Sequence, residues 1–529
     1  MISPLDVSVL DRNCEELGVD VSSLMEAAGK ALAEEIGKRS PVKGKVVVVS
    51  GTGNNGGDGM VAARYLSTWG NGVEVIYVKP VSMIRSDIAR KAYRDLPDNV
   101  AVTVLKGDDP KKQLRSSLKD ASFIVDALLG AGSKGAPRGD IAMAVDEINR
   151  AKGFKVAVDS PTGLGYRNSV KADLTVTFHD LKEGMLKDGK HHENCGELVV
   201  RTIGIPVEAS LYVGPGDLMR MPSKGKESKK GETGRVLIIG GGPFTGAPSL
   251  AAMAAVKAGA DLVRVAVPRG IAKTIAGMSP DLIVERMDTL HPYELGPEVL
   301  LQLMGLLDWC HCMVIGPGSG RSKPALHLMV DLMRAARDRG KPVVIDADAI
   351  TSVAGYWKQG ETPLDPVRAL ITPHRGELER LVSKLVMGSD TSVLSEPYEG
   401  KGSSSRWKKE ALELASTLQN ATGGTLLVKG PVDLISSMSP PSLSNHVEIE
   451  TGGGPLYRRY NLTGVPAMSV GGTGDVLCGI CGGLMSRGMS GFDAACVASY
   501  VNGKAGESVF SEIGHSLSAS SLIERLRFR

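Results

Sequence analysis

Lys45-Val46-Val47-Val48-Val49-Ser50-Gly51-Thr52-Gly53-Asn54-Asn55-Gly56-Gly57-Asp58-Gly59 passes from an unbroken apolar run into a glycine-rich turn. A short apolar run without alternation reads as a strand buried on both faces, the pattern of a parallel sheet. The glycines that follow let the chain turn tightly and open a helix whose first N–H groups point at an anion. Gly51, Gly53 and Gly56 satisfy the spacing of a dinucleotide fingerprint. The acidic residue that would hold a ribose should end the next strand, however, and Glu74 sits near the start of 73–78. The two asparagines and Asp58 are also more polar than such a turn needs.

Outward from this stretch, buried strands and helices keep alternating. Strands are expected at 45–49, 73–78, 123–127, 156–158 and 174–178, with helix-like segments between most of them. Ahead of the first strand, Ser3 is placed to cap a helix with Pro4 next, and 22–36 carries apolar residues at helical spacing. From Pro222 to Gly231 the chain is polar and basic with no apolar period, which reads as a linker. Beyond it, strands are expected at 236–239, 262–267, 313–315, 343–345, 370–371 and 426–428, and helices at 250–258, 324–339 and 408–419. The expected architecture is α/β: a Rossmann-like three-layer αβα domain at 1–221, a linker at 222–231 and a second αβα domain at 232–529. A polar stretch at about 388–405 is expected to be a surface excursion of the second domain.

At 529 residues the chain exceeds what a single core supports. A formal net charge of +3 and 4% aromatic residues offer no basic, stacking surface, so no nucleic-acid partner is expected. No apolar run approaches a membrane span, and the first residues lack the features of a signal peptide. The expectation is a cytoplasmic protein with no membrane association. Among 7 cysteines, Cys478 and Cys481 lie one helical turn apart, but no second pair follows at metal-ligand spacing. They are read as buried thiols, as are Cys310 and Cys312.

In a parallel sheet the strand ends that bind ligands share one edge. Asp126 closes one apolar run and leads into Gly130-Ala131-Gly132-Ser133-Lys134-Gly135-Ala136. Asp159 closes another and leads into Ser160-Pro161-Thr162-Gly163. Alone, either carboxylate is what a turn or a helix cap also uses. Together with the asparagine loop they put two carboxylates, a lysine and an amide-rich turn at one crevice. The oxygens of Asn55, Asp126 and Thr162 suit a hard monovalent or divalent cation.

The second domain has no Walker loop. Its strand ends carry 240–248, 316–320, Thr372-Pro373-His374-Arg375-Gly376-Glu377, Lys429-Gly430-Pro431-Val432-Asp433 and Gly471-Gly472-Thr473-Gly474-Asp475. An acidic residue inside a helix-start anion hole is electrostatically awkward unless it acts as a base. A base beside a phosphate is what phosphoryl transfer to a hydroxyl needs, and Asp475 is that residue.

Met25-Glu26-Ala27-Ala28-Gly29, the 51–59 loop, Asp126 with its glycine loop and Asp159-Ser160-Pro161-Thr162-Gly163 resemble the NAD(P)H-hydrate epimerase domain. The second-domain motifs, 372–377 and 471–475 above all, resemble the ribokinase-like ADP/ATP-dependent NAD(P)H-hydrate dehydratase. The whole chain thus resembles the bifunctional NAD(P)H-hydrate repair enzymes. The resemblance implies epimerisation of hydrated NADH and NADPH at C6 by the first domain. It implies nucleotide-dependent dehydration of the S form back to NAD(P)H by the ribokinase-like second domain, with AMP and phosphate released when ADP is used.

The resemblance further implies substrate contacts at Asn54, Asn55, Gly56, Gly57, Asp58, Gly130, Ala131, Gly132, Ser133, Lys134, Gly135, Ala136 and Asp159. It places potassium on Asn55, Asp126 and Thr162, with Asp159 as the acid/base and Lys134 as its helper. In the second domain it places hydrated nucleotide against Ala247, Gly318, His374 and Asp475, with Asp475 as catalytic base. The adenylate falls to Lys429, Gly430, Pro431, Val432, Asp433 and Gly474, magnesium bridges the phosphates, and a homo-oligomer is expected. Lys229-Lys230-Gly231-Glu232 stand where the family usually has His-Lys-Gly-Asp. Two other readings stay open on these residues. One is a ribokinase-like kinase of a hydroxymethylpyrimidine or thiazole alcohol, which would not carry the first domain. The other is a first domain that binds without catalysing, against which the intact Asp126, Lys134 and Asp159 speak.

Overall fold

The computed structural model describes all residues except 40–43, 108, 134, 226, 357–363, 366, 386–402, 439–446 and 452–453. The expected excursion at 388–405 lies almost wholly outside the described residues. The chain divides into two compact units, Met1–Ala209 and the described residues from Ser210 to Arg529.

In the first unit the strands are β1 Lys45–Ser50, β2 Gly72–Tyr77, β3 Ala101–Val104, β4 Phe123–Ala127, β5 Phe154–Val158, β6 Leu174–Phe178 and β9 Glu197–Arg201. A separate two-stranded pair is formed by β7 Leu186–Lys187 and β8 Lys190–His191. The seven-stranded sheet runs in the order β3-β2-β1-β4-β5-β6-β9 and is parallel throughout. Successive side chains of a strand point to opposite faces, and β1 shows the consequence. Val46 and Val48 pack with helices Val21–Arg39 and Asn54–Thr68, while Val47 and Val49 pack with helices Pro110–Leu118 and Gly139–Arg150. The anticipated N-cap is present at helix Pro4–Glu16. Ser3 N–H donates to Asp6 Oδ2 at 2.7 Å, and Asp6 N–H donates to Ser3 Oγ at 3.2 Å.

The second unit holds β10 Arg235–Ile239, β11 Leu262–Pro268, β12 Ile283–Met287, β13 Cys312–Ile315, β14 Val343–Ile345, β15 Ala369–Ile371, β16 Thr425–Val428, β17 Asp433–Ser437, β18 Val447–Thr451 and β19 Gly454–Asn461. The order is β12-β11-β10-β13-β14-β15-β16-β17-β19-β18, parallel as far as β16 and antiparallel after it. Val236 and Ile238 face helices Gly246–Lys257, Thr473–Ser486 and Gly491–Ile513. Leu237 and Ile239 face helices Lys323–Asp338 and Arg375–Leu385. Each unit is therefore an αβα sandwich. In each, the strand order reverses at one point, β1/β4 and β10/β13, where loops of such sheets part to make a crevice.

The continuous apolar runs all became strands. The strands not anticipated include the pair β7/β8 and the edge strands β3, β9 and β12, whose apolar runs are only three residues long and whose positions are mostly exposed or half-buried. The antiparallel extension β17 to β19 was not anticipated either. The domain boundary moves: the units part at Ala209/Ser210, ahead of the polar stretch at 222–231. Residues before that stretch belong to the second unit because Val213 N–H donates to Tyr460 O at 2.9 Å and buried Asp217 pairs with buried Arg459. The polar stretch itself is tied to the same unit, with Lys224 Nζ 2.5 Å from Asp261 Oδ1 and Gly231 N–H donating to Asp261 Oδ2 at 3.2 Å. All seven cysteines are buried and none is in a disulfide. No described helix is long and apolar enough to cross a membrane.

Helix Thr473–Ser486 lies so close to helix Gly246–Lys257 that a methyl on Gly479 would stand 2.1 Å from the Ala251 carbonyl oxygen. Backbone cannot swing aside as a side chain can, so Gly479→Ala must displace the whole helix. We expect it to destabilise the second unit by about 2 kcal/mol, overpacking outweighing alanine's helix preference. Urea unfolding would read this; an unchanged midpoint would mean that the helices are not in backbone contact.

Candidate active sites

Beyond the carboxyl edge of the first sheet lies a cavity of about 470 Å³. Asn54, Asn55 and Asp58 line it from the start of helix Asn54–Thr68, Gly130, Ala131, Gly132 and Ser133 from the loop after β4, and Asp159 from the end of β5. Gly56 and Gly57 lie behind the wall. A methyl on Gly56 would stand 2.4 Å from Gly51 O, and one on Gly57 would stand 2.6 Å from the Met25 sulfur. These glycines let helix and loop pack together. Gly135 and Ala136 do not line the cavity, and Lys134 lies outside the described residues.

Asp159 has φ 59°, a left-handed backbone that a non-glycine residue adopts at a cost and that clusters at functional sites. Its Oδ1 is 2.7 Å from Lys182 Nζ and accepts from Thr177 Oγ1 at 3.3 Å. The Lys182 side chain is only 3% exposed and donates also to Thr177 Oγ1 at 3.0 Å and Phe178 O at 2.8 Å. Sequence reasoning missed this lysine, which sits in a polar turn after β6 with no motif around it. It also missed Asp11, which reaches the cavity from the first helix. Burial, reinforced by Asp159, pushes Asp11 up to about 6, and the same two causes hold Asp58 well above the usual carboxylate range. One cavity thus holds an ion-paired carboxylate beside two carboxyls that keep their protons more tightly than an ordinary carboxyl does. Acid and base roles are divided by environment in such a set.

Asp126 is fully buried at the end of β4 and does not line the cavity. Thr162 donates to it from N at 2.8 Å and from Oγ1 at 2.7 Å. Burial outweighs these bonds and pushes its carboxyl up to about 6. Leu129 N–H donates to Thr162 Oγ1 at 3.0 Å. Asn55 is buried with neither side-chain atom partnered, and its Oδ1 lies 3.2 Å from where a methyl on Gly130 would sit. Asn55, Asp126 and Thr162 therefore gather around the 126–130 loop. An orphaned amide oxygen, one carboxylate and a hydroxyl make an all-oxygen set of low charge, which fits a monovalent cation.

In the second unit Asp475 stands in the first turn of helix Thr473–Ser486, whose N-cap Gly472 has φ 95°. Lys429 reaches that helix start from the turn after β16. Its Nζ is 3.3 Å from where a methyl on Gly474 would sit and 2.8 Å from Asp346 Oδ1. Asp346, buried after β14, also accepts from Thr372 Oγ1 at 2.8 Å. It went unnoticed in the sequence, although the rule that picked out Asp126 and Asp159, a carboxylate closing an apolar run, applies to it equally. Burial works against the Lys429 charge, but Asp346 prevails and holds the ammonium above its ordinary value. Burial and then Asp346 push Asp475 up to about 7, with Lys429 pulling the other way. A carboxyl so poised at a helix N-terminus can accept a hydroxyl proton near neutral pH.

Ala247 and Gly318 meet at the β10/β13 switch point: a methyl on Gly318, φ 68°, would stand 3.2 Å from Ala247 Cβ. His374 is exposed and bridges main chain to main chain with Lys429. Its backbone N–H donates to Glu377 Oε2 at 3.0 Å, and its Nδ1 accepts from Gly376 N–H at 3.1 Å. Residues 429–433 form the turn between antiparallel β16 and β17. Asp433 accepts there from Gly430 N–H and from Asn461 Nδ2, each at 3.1 Å, and burial pushes it up to about 6. Among the described residues no group of three His, Cys, Asp or Glu side chains is set to hold a metal. Magnesium commonly takes one or two carboxylates together with substrate phosphates, and Asp346, Asp348 and Asp475 are carboxylates at this edge.

Residues 236–527 match the family described as NAD(P)H-hydrate dehydratase, and residues 21–184 match the family described as YjeF-related protein N-terminus. The chain is 37% identical to the bifunctional NAD(P)H-hydrate repair enzyme Nnr of Methanothermobacter thermautotrophicus, over 99% of this chain and 94% of that one. The enzyme of the same name from Hyperthermus butylicus is 36% identical, over 99% and 91%. Among solved structures, the ADP/ATP-dependent NAD(P)H-hydrate dehydratase of Bacillus subtilis aligns with 60% of this chain and 99% of its own, at 21% identity and a TM-score of 0.44.

Lys182→Met should destabilise the first unit by about 3 kcal/mol, because it leaves the Asp159 carboxylate without its cation in a desolvated wall. Equilibrium unfolding of wild type and variant measures this. A change below about 0.5 kcal/mol would mean that solvent already screens the pair.

Proposed function

Because the chain belongs to the bifunctional NAD(P)H-hydrate repair enzyme family, we propose that the two sites just described carry out its two steps. The first unit interconverts the R and S forms of hydrated NADH and NADPH at C6, and the second returns the S form to NAD(P)H at the expense of ADP or ATP. The observation that carries the reading is Asp475, a carboxyl raised to about 7 at the glycine-capped start of a helix with Lys429 beside it.

Hydroxide is a poor leaving group, so water is lost slowly from the hydrate at neutral pH. In the proposed route Asp475 takes the proton of the C6 hydroxyl as its oxygen attacks the terminal phosphoryl of the nucleotide. The bond from that phosphorus to the bridging oxygen breaks, releasing AMP when ADP is used. N–H groups of Gly474 and the following turn, with the Lys429 ammonium, stabilise the charge that develops. The C6–O bond then breaks with loss of phosphate, and a proton leaves the neighbouring carbon to restore the double bond. Ala247, Gly318 and His374 hold the hydrated ring, and Lys429, Gly430, Pro431, Val432, Asp433 and Gly474 hold the adenylate. Magnesium, when bound with the nucleotide, supplies charge neutralisation on the phosphates.

In the first unit Asp159 is the acid/base at C6, with Lys182 paired to it and Lys134 as the helper expected from the family. Asn54, Asn55, Asp58 and residues 130–133 hold the substrate. Asn55, Asp126 and Thr162 would hold potassium, which supplies a fixed positive charge under the 126–130 loop. A homo-oligomeric assembly and a cytoplasmic setting belong to the same proposal.

The test follows NADH absorbance from an R/S mixture of NADH hydrate with ADP or ATP and magnesium. Asp475→Asn should cut NADH formation by roughly 100- to 10 000-fold, the range for loss of a general base. Asp159→Asn should leave one epimer unconverted beyond its spontaneous exchange. The base works only when deprotonated, so wild-type dehydration should rise with pH through about 7 and level off above it. Failure of the wild type to form NADH with either nucleotide refutes the reading. Potassium is tested separately. KCl should raise the melting midpoint of the first unit above that in choline chloride by about 3 °C, and Asp126→Asn should remove the gain. Equal midpoints in the two salts would remove the ion from the proposal.

A further inference from the structure

The 429–433 turn is held from neighbouring strands: Lys429 N–H donates to Pro373 O, just after β15, at 2.8 Å, and Asp433 accepts from Gly430 N–H within the turn and from Asn461 Nδ2 at the end of β19. A further restraint comes from a helix. Trp407, on helix Ser403–Thr422, is 3% exposed, and its indole N–H donates to Val432 O at 2.9 Å. The same ring lies against Gly430, where a methyl would stand 2.6–2.8 Å from Cζ2, Cε2 and Nε1. The Arg375 guanidinium, next to His374, sits over the ring at 5.8 Å from its centroid.

A buried tryptophan with a satisfied N–H is ordinarily packing. Here the atoms it touches matter more than its burial. It grips a main-chain carbonyl and a glycine of the loop proposed to bind the adenylate, and it fills the place a Gly430 side chain would need. A loop that binds through backbone groups loses affinity when that backbone is free to move, because ordering it then costs binding energy.

We infer that Trp407 is a positioning residue for the adenine nucleotide: its indole fixes the 429–433 turn in the conformation that receives ADP or ATP. The inference rests on the reading that this turn binds the adenylate, and the test separates the two.

Trp407→Phe keeps an aromatic ring in the core and removes the N–H. With hydrated NADH saturating and ADP or ATP titrated, the KM for nucleotide should rise about 5- to 10-fold, as for loss of one buried hydrogen bond. Over the same titrations kcat and the KM for the hydrate should stay within about 2-fold of wild type. Gly430→Ala, which drives a methyl into the indole and so displaces the turn, should raise the nucleotide KM as well. If Gly430→Ala raises it and Trp407→Phe does not, the turn binds nucleotide without help from the ring and the inference is overturned. If neither variant raises it, the adenylate reading of the turn fails and takes the inference with it. A fall in kcat with an unmoved nucleotide KM would mark Trp407 as core packing alone, again overturning the inference.

Discussion

At the reversal of strand order in each sheet, two loops leave neighbouring parallel strands with their backbones in contact. A methyl on Gly51 would stand 2.0 Å from Leu128 O, and one on Gly240 would stand 2.3 Å from Pro317 O. Strands lie about 4.8 Å apart, so loops that part directly above two of them have no room for a side chain between. Glycine at that one point lets the loops start together and then diverge. Asp58, the 130–133 loop and Asp159 around one cavity, and Ala247 against Gly318 at the other switch point, all lie downstream of that close start. The strand-end carboxylates stiffen the arrangement. Asp126 is tied to Thr162 across to the end of β5, and Asp346 is tied to Thr372 across to the end of β15.

Each site is also built around one desolvated lysine held by one carboxylate, Lys182 with Asp159 and Lys429 with Asp346. The pairs leave different groups to do the chemistry. In the first unit the paired carboxylate itself lines the cavity, while Asp11 and Asp58 are pushed toward their protonated forms. In the second, the paired carboxylate is a buried support and the proposed base is a third group, Asp475. Its affinity for a proton is raised by burial and then by Asp346, and restrained by Lys429. A centre bearing a hydroxyl beside a ring nitrogen, which opens and recloses through proton transfers at those two atoms, suits the first arrangement. A hydroxyl that must be deprotonated beside a polyphosphate suits the second, where a cation and a helix start lie next to the base.

What could be read without coordinates followed from how local each signal is. Apolar runs such as 45–49 and 236–239 announce strands because burial on both faces leaves no polar position. The edge strands β3, β9 and β12 are solvated along one face or at one end, and their apolar runs of three residues are too short to stand out from their polar flanks. The polar run at 222–231 looked like the join between domains, yet the contacts of Val213 and Asp217 with residues far along the chain put the division before it. Of the residues expected around the first site, the asparagines, Asp58 and Asp159 face the cavity. Gly56 and Gly57 lie where a side chain would clash with Gly51 and Met25, and Asp126 is buried and bonded to Thr162.

By itself the sequence determined the α/β class, the presence of two units, the family and most of the loops proposed to meet a ligand, because each is written in a contiguous strand–turn–helix segment. Only the tertiary structure decided which charges meet. Lys182 finds Asp159, Lys429 finds Asp346 across 83 residues, and Trp407 finds Val432 from a separate helix. The reason is physical: the strength of an ion pair or a buried hydrogen bond depends on distance and on exclusion of water. Both are set by strand order and helix packing, which no short stretch of chain contains.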